Sequence, residues 1–255
     1  MKAASVKRMV LAIDAGNTRV KWGLHDGARW RTRAWVETAN VTRLKTAFAR
    51  LPQLEAVIIS NVAGDALRRK LSKQVPVQPE PVWLTSTRAQ AGIRSSYAKP
   101  AQLGPDRWAS VIGAYRLFGV AAVVVNAGTA LTVDALTADG VFAGGVIVPG
   151  VDLMRTALAE NTAGLKRRPG KFSFFPDATG DAIMSGAINA SCGAIERMAG
   201  FLEDAGQVSP LCVISGGGAT VLAPHLNLEV KLVDNLVLEG LLTIANGAVA
   251  KRREK

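Results

Sequence analysis

Residues 14–21 read Asp-Ala-Gly-Asn-Thr-Arg-Val-Lys and follow directly on an apolar run, 10–13. A carboxylate at the end of a core strand is costly unless it is paired or put to use. Gly16 permits a sharp turn and lets a ligand approach the backbone. The N–H groups of such a turn form a concavity that suits anions. Asn17 and Thr18 add donors for phosphate oxygens, Lys21 adds positive charge, and Asp14 can hold Mg2+ through water. Taken alone, Asp-x-Gly-Asn is also ordinary β-turn chemistry. The pattern recurs as Asn126-Ala127-Gly128-Thr129, 112 positions further on. Two such loops facing each other across a cleft would grip a polyphosphate from both sides.

A second cluster, Gly104-Pro105-Asp106-Arg107, opens an apolar stretch. Pro105 suits the first turn of a helix and Asp106 favours its dipole, which is structural chemistry. The same carboxylate at the edge of a cleft is a candidate general base toward a hydroxyl. Arg107 beside it is suited to an anionic group. A third feature, 215–220 (Ser-Gly-Gly-Gly-Ala-Thr), is either a tight strand-to-helix corner or a place where a nucleotide base or ribose comes close. The chain has no Gly-x-x-x-x-Gly-Lys-Ser/Thr loop, no Gly-x-Gly-x-x-Gly after a strand and no Gly-x-Ser-x-Gly elbow. His25 and His225 stand apart in sequence and read as surface residues, not as a metal pair.

The elements that must position these residues come in two copies. Residues 10–30 and 123–145 share one order: β-rich run, Asp/Asn-Ala-Gly loop, alternating run, Asp-Gly turn, third run. Asp-Gly between β-rich runs is a strong hairpin signal. In the first half, Val41, Leu44, Phe48 and Leu51 predict a helix over 40–51 behind an Asn40 cap. Strands are expected at 56–60 and 81–86, and a helix at 64–74. In the second half, helices are expected at 151–161, 180–204 and 234–250, and a strand at 211–218. The fold class is α/β: duplicated halves, each a mixed β-sheet flanked by helices, with a cleft between. The expected division is 1–118 and 119–255, each half carrying one phosphate loop.

Composition narrows the class. Hydrophobic content of 49% over 255 residues supplies a full core without disulfide or metal staples. Cys192 and Cys212 both lie in apolar surroundings and read as reduced thiols. The apolar run before Asp14 is too short for a signal peptide, and 119–125 is too short to span a membrane. A soluble, cytoplasmic protein is expected. The net charge of +11 comes from scattered Arg and Lys clusters at 29–33, 68–70, 166–171 and 251–255. That spread suits attraction of anionic small molecules better than a nucleic-acid footprint.

The ordered set of Asp14-Ala15-Gly16-Asn17-Thr18 with Lys21, Gly104-Pro105-Asp106-Arg107, Ala127-Gly128-Thr129-Ala130 and Asp134 resembles the type III pantothenate kinases. The likeness runs over nearly the whole chain. That family belongs to the superfamily of acetate and sugar kinases, heat-shock chaperones and actin, whose ribonuclease-H-like halves match the repeat. The resemblance implies ATP-dependent phosphorylation of pantothenate to 4′-phosphopantothenate, the first step of coenzyme A synthesis, with Mg2+. By motif, Asp14, Ala15, Gly16, Asn17, Thr18, Arg19, Val20 and Lys21 would hold ATP, joined by Gly128 and Thr129. Asp106 would accept the proton. Tyr97, Gly104, Pro105, Asp106, Arg107 and Thr179 would contact pantothenate. The family also implies a homodimer whose substrate site is completed by the partner subunit.

One position departs from the family pattern. The second loop usually opens with an Asp that helps bind K+ or NH4+, and here it opens with Asn126, which keeps a carbonyl oxygen but loses the charge. Weaker potassium dependence is therefore expected. The competing readings are a kinase for another small hydroxy acid or sugar, and a non-enzymatic accessory protein that affects gene expression.

Overall fold

The computed structural model describes residues 9–253. They fall into two compact units. The first holds the residues up to Ile93, Tyr97–Arg116 and everything from Asn235; the second holds Arg94–Ser96 and Leu117–Asp234.

The first unit is built on β1 (Val10–Ala15), β2 (Arg19–His25), β3 (Trp30–Glu37), β4 (Ala56–Asn61) and β5 (Val82–Trp83). They form a five-stranded sheet in the order β3-β2-β1-β4-β5. β1 is antiparallel to β2 and parallel to β4. Its apolar residues are buried on both faces, which is why it reads as a continuous run and not an alternating one. Leu11, Ile13 and Ala15 pack with Val57 and Ile59 of β4 against Val41, Leu44 and Phe48. Those three come from a 3-10 turn at Thr38–Arg43 and the short α1 (Leu44–Phe48). The apolar spacing was legible but the single helix over 40–51 was not. Asn40 leaves helical geometry inside the turn and caps nothing. α2 (Gly64–Ser72) buries Leu67 and Leu71. The strand expected over 81–86 is reduced to the two residues of β5.

After the short β6 (Ala89–Gln90) and β7 (Ile93–Ser95) comes α3 (Pro105–Phe118). It meets α7 (Leu236–Arg253) backbone to backbone. A Cβ on Gly240 would overlap the Ala109 carbonyl, and one on Gly113 would lie 2.8 Å from the Leu236 oxygen. α7 also packs on β1 and β4. The residues from Asn235 on thus group with the first unit, whereas a division by position along the chain places them with the second.

The second unit repeats the plan with β8 (Ala122–Ala127), β9 (Ala130–Leu136), β10 (Val141–Pro149), β11 (Leu211–Ser215) and β12 (Val230–Leu232). Their order, β12-β11-β8-β9-β10, matches that of β5 through β3. Arg94 and Ser95 of β7 pair with β10. α4 (Val151–Asn161) and the 26-residue α5 (Thr179–Asp204) follow β10, and the short α6 (Ala219–Leu222) follows β11. α5 buries Ile188, Cys192, Ile195, Ala199 and Leu202 at helical spacing against Val123, Val125, Leu131 and Val133. Both hairpin turns carry their glycine in the left-handed region, Gly27 at φ +92° and Gly140 at φ +78°. Cys192 and Cys212 are both free and buried.

Candidate active site

The first glycine turn joins β1 to β2. The Gly16 N–H donates to the Arg19 carbonyl at 3.0 Å, and Asn17 and Thr18 project as its exposed tip. Ala15 and Val20 face the core, so only their backbone is available to a ligand. Arg19 lies over the Trp35 ring, 4.2 Å from its centroid. Asp14 and Lys21 are register partners on neighbouring strands, which puts carboxylate and ammonium on one face of the sheet.

Sequence reasoning missed how this turn is fastened. Thr38, just past β3, donates its hydroxyl to the Gly16 carbonyl at 2.7 Å and its N–H to the Thr18 carbonyl at 3.0 Å. A threonine twenty residues away carries no local signal of this; only the pairing of β2 with β3 delivers it.

The first turn of α3 holds the second cluster. Trp108 N–H donates to the Gly104 carbonyl, which starts the helix. The Asp106 carboxylate accepts the Arg107 N–H at 2.8 Å and lies over Gly104, where a Cβ would come within 2.6 Å of Oδ1. Glycine at 104 is therefore a packing requirement of Asp106. Arg107 is buried and its guanidinium donates to the Tyr97 hydroxyl at 3.2 Å. Gly104, Pro105, Asp106, Arg107 and Tyr97 are thus one local cluster, while Thr179 opens α5 in the other unit.

The structure brings Asp14 and Asp106 close enough to interact. The Asp14 carboxyl is raised to about 7, by burial first and by the charge of Asp106 second, against the opposing charge of Lys21. Asp106 is raised too, by burial above all, against the pull of the Arg107 N–H and guanidinium. A hydroxyl on the same face, Ser60 Oγ, is buried without a hydrogen-bond partner. Raised carboxylates and an orphaned donor suit a site completed by a cation and an anion together. Among the described residues no group of three or more His, Cys, Asp or Glu could hold a metal. The donor set that is present, the neighbouring carboxylates of Asp14 and Asp106, suits Mg2+ carried in on phosphates, which needs only one or two protein carboxylates.

The second glycine turn joins β8 to β9, with Gly128 N–H donating to the Ala130 carbonyl at 3.1 Å. Gly128 and Thr129 are exposed. The Thr129 carbonyl accepts the Gly150 N–H at 2.9 Å. The glycine-rich corner after β11 packs on this turn: Gly216 has φ +102°, and the Gly218 N–H reaches the Ala127 carbonyl at 3.0 Å. The chain's own backbone makes that close approach, so the corner reading accounts for Gly216. Asn126 directs its amide toward Thr132 Oγ1 at 3.5 Å. Asp134 is buried on the same strand face as Thr132.

Thr179 lines a hollow with Met154, Leu158, Leu165, Ala182 and Ile183 of the second unit. His25 corrects the expectation that both histidines lie at the surface, while His225 is partly exposed. His25 is buried against Trp30, at 5.1 Å between ring centroids, and its Nδ1 accepts the Gly27 N–H. His225 packs on Phe172 at 4.0 Å.

Two sheets of one strand order, each with a glycine turn closing its first strand, define the duplicated ribonuclease-H-like fold that sugar kinases share with actin. Glucokinase from Balamuthia mandrillaris shows it at a TM-score of 0.50 and 11% identity, over 94% of each chain. A Campylobacter jejuni structure, provisionally named a Baf family transcriptional activator, gives 0.57 at 19% identity over 96% of this chain and 98% of its own. Residues 10–200 match the family described as type III pantothenate kinase. The type III pantothenate kinase of Nitrosospira multiformis is 47% identical over 238 residues, 93% of this chain and 91% of that protein. The chain belongs to the type III pantothenate kinase family.

Proposed function

We propose that this protein transfers the terminal phosphoryl group of ATP to the hydroxyl of pantothenate, giving 4′-phosphopantothenate, the first step of coenzyme A synthesis. The observation that carries the reading is the joint placement of Asp14, Lys21 and Asp106 in a chain of this family. Phosphoryl transfer needs positioning and charge neutralisation more than covalent help. Bound ATP with Mg2+ supplies the phosphoryl group and screens its charge. The N–H groups of Asn17 and Thr18 at the tip of the turn and the Lys21 ammonium would hold phosphate oxygens, and Asp14 would hold Mg2+ through water. In the second unit, Gly128 and Thr129 are phosphate contacts and Thr179 a pantothenate contact. Tyr97 and Arg107, already hydrogen-bonded to each other, bind the pantothenate carboxylate and hydroxyls.

Asp106 takes the hydroxyl proton. An ordinary carboxylate is a weak base, with a pKa near 3.9. The burial that raises Asp106 makes it a stronger one, closer to the pH at which it works. Asn126 leaves the monovalent-cation position of the family without its charge, so K+ or NH4+ is held weakly or not at all.

A homodimer belongs to this reading. Its support is the apolar surface of the second unit, where Phe174 and Phe175 are 85% and 95% exposed and Leu153 and Leu158 stand partly open. No helix among the described residues is long and apolar enough to cross a membrane. With ATP as donor, the reaction takes place in the cytoplasm.

The test is formation of phosphopantothenate from ATP and pantothenate, in potassium and in sodium buffer, beside Asp106→Asn. The parent should turn over at rates within a few-fold in the two salts, and the variant should lose about a hundredfold or more in kcat while still folding. Near-normal turnover by the variant removes Asp106 from its role. An absolute potassium requirement refutes the reading of Asn126, and a parent inactive in both salts refutes the kinase.

A further inference from the structure

Four side chains stand in one lateral row across the first sheet. Ser60 on β4 is the register partner of Asp14 on β1, Asp14 of Lys21 on β2, and Lys21 of Trp35 on β3. Register partners project to the same face of a sheet. Ile13, Ala15 and Ile59, which alternate with them, fill the core on the opposite face.

Ser60 is fully buried, and among the described residues its Oγ is the only buried side-chain polar atom without a hydrogen-bond partner. An unsatisfied buried hydroxyl costs stability that alanine would not cost. It is also sealed from solvent, so no substrate touches it. The second unit has the same residue type at the same place: Ser215 on β11 is buried and is the register partner of Asn126, the first residue of the second loop. A serine therefore stands beside the opening residue of both glycine loops, on the strand that runs parallel to the loop's own.

We infer that Ser60 is a positioning residue for nucleotide binding, its hydroxyl donating to the Asp14 carboxylate when phosphates draw Lys21 away. Without nucleotide, the ammonium of Lys21 offsets Asp14 across the β1–β2 pair. Once that ammonium turns to a phosphate oxygen, Asp14 loses its direct neighbour on β2, and a contact from the other side has to fix the orientation in which it meets the metal's water. Ser60 lies one strand spacing away, about 5 Å, on the side opposite Lys21, and a turn of its short side chain about Cα–Cβ brings the hydroxyl toward the carboxylate. The assignment rests on the kinase reading for the identity of the nucleotide.

Ser60→Ala tests it, because the change removes an unsatisfied group and leaves the fold intact. Thermal unfolding is measured without ligand and with Mg-ADP, and steady-state kinetics with each substrate varied. The unliganded variant should melt at or above the parent's temperature. Its Mg-ADP shift should be smaller, and its KM for Mg-ATP raised about tenfold, the effect of one hydrogen bond to a charged group. KM for pantothenate should stay within twofold. The inference is overturned if KM for Mg-ATP and the Mg-ADP shift match the parent's. It is equally overturned if the unliganded variant melts several degrees lower and both KM values rise together, the signature of a core defect. The Mg-ADP shift needs no turnover. A parent that shifts but does not phosphorylate pantothenate therefore refutes the kinase reading alone, and a parent that does not shift refutes both.

Discussion

Asp14 is an acid whose folded pKa, about 7, lies well above its unfolded value near 3.8, with burial as the main cause and the charge of Asp106 second. The native state therefore binds this proton more tightly than the unfolded chain does. The stabilisation from that proton is fully present below about pH 4 and is lost as pH rises toward 7. Asp14→Asn removes a carboxylate that must otherwise ionise inside the fold. The unliganded variant should be more stable than the parent at pH 8, by about 1–3 kcal/mol, with the gain shrinking to little below pH 4. Urea unfolding at the two pH values measures this, and a variant less stable than the parent at pH 8 contradicts it. Asp14 and Asp106 could both be picked out in the sequence, the first because a carboxylate that ends an apolar run is conspicuous, the second because Gly-Pro-Asp-Arg opens an apolar stretch. Ser60 and Thr38 could not. Serine at the end of Ala-Val-Ile-Ile is ordinary strand composition, and its meaning comes from the register of β4 against β1. Thr38 matters through two hydrogen bonds to a turn more than twenty residues earlier.

At the scale of elements, Asp106 is held in place by a helix crossing. α3 and α7 approach so closely at Ala109, Gly113, Leu236 and Gly240 that two glycines take the place of side chains. Gly240→Ala should destabilise by about 2–4 kcal/mol, because a Cβ there meets rigid backbone and not a flexible side chain. Turnover should fall as well, since α3 carries Asp106 in its first turn. Gly247→Ala, in the same helix with nothing within 4 Å of the added Cβ, should instead stabilise by about 1 kcal/mol through helix propensity. Equilibrium unfolding of the two variants would show opposite signs, and equal signs would count against the crossing. The strand-turn-strand-hairpin repeat was legible because it is local and occurs twice. The helix crossing was not, since Gly113 and Gly240 each look like an unremarkable glycine in an apolar helix.

For the whole molecule, the exposed aromatic pair of the second unit is the feature with most to test. Phe174 and Phe175 expose apolar surface that an isolated chain leaves in water, and joining two copies would cover it. Phe174→Asp with Phe175→Asp should halve the mass measured by light scattering at micromolar concentration, with helix content retained. A monomeric parent refutes the homodimer. The net charge of +11 showed in the sequence, but the apolar surface did not, because exposure of Phe174 and Phe175 depends on how the segment before α5 lies. The three-segment make-up of the first unit also bears on how the protein is made. Its opening sheet and α3 leave the ribosome early, yet α7, which packs on both, is translated only after the whole second unit. Domains generally close as units during synthesis. The second unit, continuous but for Arg94–Ser96, can therefore finish first, while the Asp14 and Asp106 face waits for the segment from Asn235. A ribosome stalled before that segment would display a nascent chain with the second unit closed and the first still open to chaperones and proteases.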